Sequence, residues 1–255
     1  MSEAERWLKD WHARHPGATA RALGRGNPSS YETLAALAKA GDRALDVACG
    51  DGMLMERLLA RGAAEVTGID MSSEELAAAR ARLGDRARLL EGRAQALPFE
   101  DASFDVVTCH MALMLMDAPD GVVAEVRRVL RPGGVFGAVV GSAPASDGTW
   151  IRIVQIFAPA LSGPSLGDRR TRSPEGLRDL LGAFEDVRIE PLSVDLSGPE
   201  EDVWQLFADT YMPAMLPEAT AAAIESAARA ALRDLRRPDG TVPCILPLTL
   251  VTARR

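Results

Sequence analysis

The apolar positions of this chain change period along its length, and the changes mark out its elements. Ala44, Leu45, Val47 and Ala48 form a short apolar run interrupted only by Asp46, and the chain then enters Cys49-Gly50-Asp51-Gly52. Apolar residues next recur at helical spacing in Met53, Leu54, Leu58 and Leu59, which predicts strand, glycine-rich turn and helix. The unit repeats at residues 66–70, a short apolar run ending in Asp70. Ser72 or Ser73 before Glu74 and Glu75 predicts an N-cap with acids in the first turn of a helix reaching about Leu83. Further strands are predicted near residues 87–91, 104–109 and 135–140, with a helix near 122–130 and a turn at Arg131-Pro132-Gly133-Gly134. Alternating strands and helices predict the α/β class, a Rossmann-like doubly wound parallel sheet.

The C-terminal part is less regular. Residues 174–181 read as a helix, 187–196 as a strand, and 244–252 as a final strand entered by a return rather than a crossover. Between the two strands, residues 199–211 and 217–237 form an alanine-rich helical insertion, a lid over the sheet's carboxyl edge or packing on its flank. Residues 31–39 predict a helix preceded by a loop at 24–28, and Trp7, Trp11, His12 and His15 fall in an N-terminal helix packed on the body. The expected organisation is one domain over 1–255: an N-terminal helical cover (1–42), a cofactor-binding core (43–142), and a C-terminal half (143–255) with a lid at about 197–240.

Composition narrows this picture modestly. The 255 residues are 47% hydrophobic and 25% charged, which fits a globular chain and excludes collagen-like, disulfide-scaffold and disordered classes. With 29 basic against 36 acidic residues and a net charge of −7, a nucleic-acid partner is not expected. Cys49, Cys109 and Cys244 have neither metal-ligand nor disulfide-framework spacing, so no metal is expected and a reducing, cytoplasmic setting follows. No apolar run of about 18 residues suggests a membrane span, and the charged N-terminus lacks a signal-peptide core. Lysine occurs only at Lys9 and Lys39 in an arginine- and alanine-rich chain, which suggests a bacterial genome of high GC content.

Candidate chemistry collects at the carboxyl ends of successive strands, the edge where open α/β sheets bind ligands. The first strand ends in Gly50 and Gly52, which allow a ligand close to the backbone, and the second ends in Asp70, whose carboxylate can accept from both hydroxyls of a ribose. The fourth leads through Cys109, His110 and Met111 into the cleft. A dinucleotide-binding GxGxxG is absent, because Met53 falls where the third glycine must pack a helix on a strand. No GxxxxGK[ST] phosphate loop occurs either. A ligand with a ribose but no pyrophosphate fits better.

The ordered set DVACGDG, VTGID, GRAQALPFEDASFDVV and VLRPGG resembles the motifs of class I S-adenosylmethionine-dependent methyltransferases, in particular the small bacterial, type 11-like enzymes acting on small molecules. The match runs from about Arg43 to Val140. The resemblance implies a seven-stranded sheet with the last strand antiparallel and a cofactor across the ends of the first, second and fourth strands. It implies that Asp46 orders the glycine turn, that Ala48, Gly50 and Gly52 pass the methionine moiety, and that Asp70 takes the ribose hydroxyls. It further implies Met71 packed on the adenine, Ala94 and Gln95 at its edge, Cys109 or His110 near the sulfonium, and Tyr31 with Arg25 closing over the amino-acid end. Two departures stand out. Arg93 occupies the place of an acid that receives the adenine amino group, and arginine cannot accept a hydrogen bond. Leu115 stands where many relatives carry a histidine, so any histidine chemistry falls to His110, as a base or as a structural wall.

The expected activity is methyl transfer from S-adenosylmethionine to an O, N, S or C nucleophile of a small apolar or aromatic acceptor of secondary-metabolite type. If His110 is the base, replacing it should lower kcat by roughly 10²–10⁴-fold. Met114, Trp150, Trp204, Tyr211 and Met215 are the candidate acceptor contacts. Arg169, Arg170 and Arg172 read as a solvated loop, with contact to an anionic acceptor as the alternative. A non-methylating lyase, cyclase or binder on the same scaffold is the rival, a nicotinamide oxidoreductase a weaker one. A monomer or homodimer without nucleic-acid or membrane partners is expected.

Overall fold

The computed structural model describes residues 1–142 and 148–255, so the start of the C-terminal half expected at residue 143 lies outside the described residues. The first βαβ unit is β1 (Arg43–Val47), α4 (Met53–Ala60) and β2 (Glu65–Asp70), preceded by α1 (Glu3–Arg14), α2 (Ala18–Leu23) and α3 (Ser30–Ala35). There follow α5 (Ser73–Leu83), β3 (Arg88–Glu91), β4 (Phe104–His110), α6 (Pro119–Val129) and β5 (Leu130–Gly141). The C-terminal half holds α7 (Thr149–Phe157), α8 (Pro174–Leu180), β6 (Glu185–Asp195), β7 (Gly198–Pro199), α9 (Glu200–Ala208), α10 (Glu218–Asp234), β8 (Thr241–Val242) and β9 (Ile245–Arg254). Seven strands form one sheet in the order β3-β2-β1-β4-β5-β9-β6, while β7 and β8 pair separately. β9 runs antiparallel to both β5 and β6, and the other sheet neighbours pair parallel.

Local chemistry explains the boundaries. Ser72 starts α5 by accepting from the Glu75 N–H, and Pro119 opens α6 where a missing N–H costs nothing. The expected turn at residues 131–134 is absorbed into β5 as an irregularity, between the Phe104↔Leu130 and Val106↔Val135 pairs. Sheet residues alternate between two apolar cores. Val106 and Val139 join the core carrying α3, α4, α7 and α9, whereas Val107, Ala138 and Val140 join the core carrying α6 and α8.

The insertion between β6 and β9 divides in two. The end of α9 and residues 209–212 face the large cavity at the sheet's carboxyl edge, but no residue of α10 does. α10 packs on α7 and α9, so the expected lid is half roof and half buttress. α2 and α7, which the apolar spacing does not reveal, complete the walls.

Candidate active site

A cavity of about 620 Å³ opens at the carboxyl ends of β1, β2 and β4. β1 delivers Ala48 and Gly50, β2 delivers Asp70 and Met71, the loop after β3 delivers Ala94 and Gln95, and β4 delivers His110. Tyr31 of α3 also lines the cavity. Ala48 and Met111 adopt left-handed φ values of 56° and 54°, sparsely populated for side-chain-bearing residues, at the two strand ends that border the cavity.

Asp70 organises the edge. Its Oδ2 accepts from the Gly50 N–H at 2.9 Å and its Oδ1 from the Ser72 N–H at 2.9 Å, tying the glycine turn to the start of α5. Burial pushes its carboxyl above the usual range, and the N–H groups of Ser72 and Gly50 only partly offset that. The turn-ordering role expected of Asp46 thus falls to Asp70. Asp46 accepts from the Thr108 hydroxyl at 2.9 Å, and burial pushes its carboxyl up to about 8, with Thr108 opposing and Asp70 adding to the rise.

A group whose folded pKa is raised stabilises the fold fully below its unfolded value of about 3.9, and that stability is lost as pH rises through the folded value. For Asp46 the window runs from about pH 4 to about 8. Thermal melts of the ligand-free protein should therefore show Tm falling across this range, and Asp46→Asn should flatten the fall. Parallel curves for the two proteins would sink the assignment.

His110 accepts or donates at Nε2 with the Ser30 hydroxyl at 2.9 Å, and Tyr31 stacks on its ring at 3.9 Å between centroids. Burial pushes its imidazole down to about 3, and among the described residues no carboxylate lies within ion-pair distance to hold a proton on it. His110 therefore sits as a neutral ring in an apolar wall.

The position of Arg93 has a structural counterpart. Its Nη2 donates to both oxygens of Glu5 at 2.8 and 2.5 Å, and Gln95 Nε2 donates to Glu5 Oε1 at 3.1 Å and to the Asp117 carbonyl at 2.8 Å. Burial raises the Glu5 carboxyl, but the Arg93 guanidinium outweighs it and holds the group below the usual range. A carboxylate thus stands beside the loop that lacks one, brought by α1. His12 Nδ1 also meets Glu75 Oε1 at 2.9 Å, while Glu75 Oε2 accepts from the Gly17 N–H at 2.9 Å. Glu5, Trp11, His12 and Gly17 line the cavity, a contribution that sequence reasoning missed. The Ser2–Glu5 capping box and the missing acid at Arg93 were the available signals.

Several expected contacts lie elsewhere. Cys109 faces the core shared with α6, the opposite side of the sheet from His110's wall, and burial pushes its thiol up to about 12. Gly52 caps α4 and packs toward Leu83 rather than lining the cavity. Of the acceptor candidates, Met114, Trp150 and Tyr211 line it. Trp204 is buried in the other core with the Arg229 guanidinium 4.6 Å over its ring, and Met215 packs against Gly163. Arg25 pairs with Asp202 at 2.9 Å, joining the N-terminal loop to α9, and does not line the cavity.

The cavity's chemistry suits a cation carrying a ribose. Asp46 is a buried carboxylate and Asp70 a half-buried one, both with raised pKa, and neither has a cationic side chain within ion-pair distance among the described residues. A Cβ at Gly50, φ +51°, would meet only the Glu75 carboxylate, at 3.8 Å, so the turn leaves an open cradle beside them. Fold and cradle together define an α/β protein that binds its ligand at the carboxyl ends of its strands. Residues 45–138 match the family described as "Methyltransferase domain". The demethylmenaquinone methyltransferase of Bacillus subtilis is 30% identical over 171 residues, 60% of this chain and 72% of that protein. The ubiquinone biosynthesis O-methyltransferase of Dechloromonas aromatica is 37% identical over 119 residues, 44% of this chain, which spans half the length of that relative. A crystal structure of a candidate methyltransferase from Bacillus halodurans superimposes with TM-score 0.62 at 20% identity, covering 89% of this chain and 98% of that one. The chain belongs to the S-adenosylmethionine-dependent methyltransferase family.

Proposed function

We propose that this protein transfers the methyl group of S-adenosylmethionine to a small apolar acceptor. The observation that carries the proposal is one continuous cavity with two contrasting walls. The carboxylates and glycine turn of β1 and β2 line one part, while Met111, Met114, Trp150, Leu206 and Met212 line another. Bound S-adenosylmethionine supplies a methyl group already activated on a cationic sulfur. The protein's task is then to align it with a nucleophile and exclude water. Asp70 takes the ribose hydroxyls, Gly50 gives the backbone approach, and Ala94 and Gln95 border the adenine with Glu5 holding Gln95 in place. Trp11 and Tyr211, edge to face at 6.3 Å, close the roof between the N-terminal cover and the insertion.

His110, held neutral, shapes the wall where acceptor and methyl meet, and an acceptor whose nucleophile needs no protein base, such as a thiolate or neutral amine, suits it best. His110→Asn should then lower kcat by less than about tenfold and leave the pH–rate profile without a lost limb near 6.5, in contrast to the roughly 10²–10⁴-fold loss of a general base. We place the enzyme in a cytoplasmic, small-molecule methylation step, as a monomer or homodimer. The direct test is S-adenosylhomocysteine release against a panel of apolar thiols, amines and phenols. Tight S-adenosylmethionine binding with no release across the panel would favour the lyase, cyclase or binder reading.

A further inference from the structure

We propose that the acceptor is an apolar acid, its oxyanion held at the cavity rim by the Arg172 guanidinium and the Tyr211 hydroxyl; this rests on the methyltransferase reading above. The argument begins with the charges that border the cavity. Two of its cations are already matched: Arg93 binds Glu5, and His12 meets Glu75. Asp209 faces Arg21 at 3.7 Å. Arg172 lines the same cavity yet, among the described residues, meets no carboxylate within ion-pair distance. Its neighbour in sequence shows the contrast, since Arg170 pairs with Asp120 at 2.6 Å and Asp168 at 2.9 Å.

Arg172 is exposed and has one anchor on the backbone. Its Nη2 donates to the Leu166 carbonyl at 3.0 Å, and its other N–H groups make no hydrogen bond among the described residues. Tyr211 lines the same cavity, and its hydroxyl makes no hydrogen bond among the described residues. Both are donors with unused capacity on the lining of one cavity. A neutral hydrocarbon would leave both unused, whereas a carboxylate or similar oxyanion accepts from both, and the guanidinium fork suits its planar pair of oxygens. The apolar wall takes the body of the molecule and the rim takes its charge. Such division gives orientation as well as affinity, because it decides which end of an acceptor points toward His110.

The test uses a pair of fluorescent probes of similar apolar body, 1-anilinonaphthalene-8-sulfonate as the anion and N-phenyl-1-naphthylamine as the neutral counterpart, titrated with S-adenosylhomocysteine at saturation. Loss of one charge-assisted contact should raise the Kd of the anionic probe for Arg172→Gln about tenfold or more, with the neutral probe within about twofold. Arg172→Lys should fall between, Tyr211→Phe should weaken only the anionic probe, and Arg169→Gln, at an exposed site off the cavity, should change neither. Equal weakening of both probes by Arg172→Gln, or no change in the anionic one, overturns the proposal. Calorimetric titration with S-adenosylhomocysteine separates the two levels. If the wild type fails to bind it, the methyltransferase reading fails, and the oxyanion site is judged by the same probes on the ligand-free protein.

Discussion

Replacing Asp70 with alanine should weaken S-adenosylhomocysteine binding by about a hundredfold or more, since two charge-assisted hydrogen bonds contribute roughly 1.5–3 kcal/mol each. The carboxylate has spare acceptor capacity. Each oxygen already takes one backbone N–H, from Gly50 and from Ser72, and each keeps a second lone pair for a hydroxyl of the ribose. The same two N–H groups make the variant ambiguous if only affinity is read, because both lose their partner and the turn loosens. Asp70→Asn resolves this. It preserves one oxygen and the side-chain volume but places an NH₂ against one N–H, so it should bind less tightly than wild type by roughly tenfold or more while retaining a cooperative melt. Calorimetric Kd values are the measurement, with circular dichroism to show that each variant is folded. Affinity within about threefold of wild type in a folded Asp70→Ala protein would remove the ribose assignment.

The part of this site that depends on local pattern was legible in the sequence. β1, β2 and β4 show as apolar runs because both faces of a central strand are buried, and Gly50 and Asp70 fall at their ends by simple counting. What the pattern could not give is which neighbour in a strand faces which way relative to the cavity. Cys109 and His110 are adjacent and equally plausible in sequence, but strand alternation sends one into the α6 core and the other to the cavity. Contacts across long separations were equally hidden. Glu5 reaches Arg93 over 88 positions and His12 reaches Glu75 over 63, so the acid that the motif lacks comes from a helix with no motif of its own. The insertion was visible as helical and alanine-rich, yet only packing reveals that α9 ends at the cavity while α10 braces it from outside. Large side chains were a poor guide there, since Trp204 serves the core and Tyr211, past the end of α9, serves the cavity.

The two glycines of the turn should fail in opposite ways when each is replaced by alanine. At Gly52, φ is +79° and a Cβ would lie 2.8 Å from Leu83 Cδ1 and 3.3 Å from Ala79 Cβ, both on α5. Left-handed backbone costs an L-residue about 1–2 kcal/mol, and overpacking adds about 1–3 kcal/mol. Gly52→Ala should therefore lose about 2–5 kcal/mol of stability, a Tm drop of roughly 4–20 °C for a chain of this size. Its S-adenosylhomocysteine affinity below the melt should stay near wild type, because the added methyl points into α5. At Gly50 the backbone penalty is of the same kind, φ being +51°, but nothing protein-borne crowds the new methyl closer than the Glu75 carboxylate at 3.8 Å. The space it fills belongs to the ligand. Gly50→Ala should lose only about 1–2 kcal/mol of stability and at least about tenfold in affinity, the methyl displacing a ligand that needs close backbone approach. Melts and calorimetry on both variants decide the matter. If Gly52→Ala proves the weaker binder and Gly50→Ala the less stable fold, the cradle has been assigned to the wrong glycine.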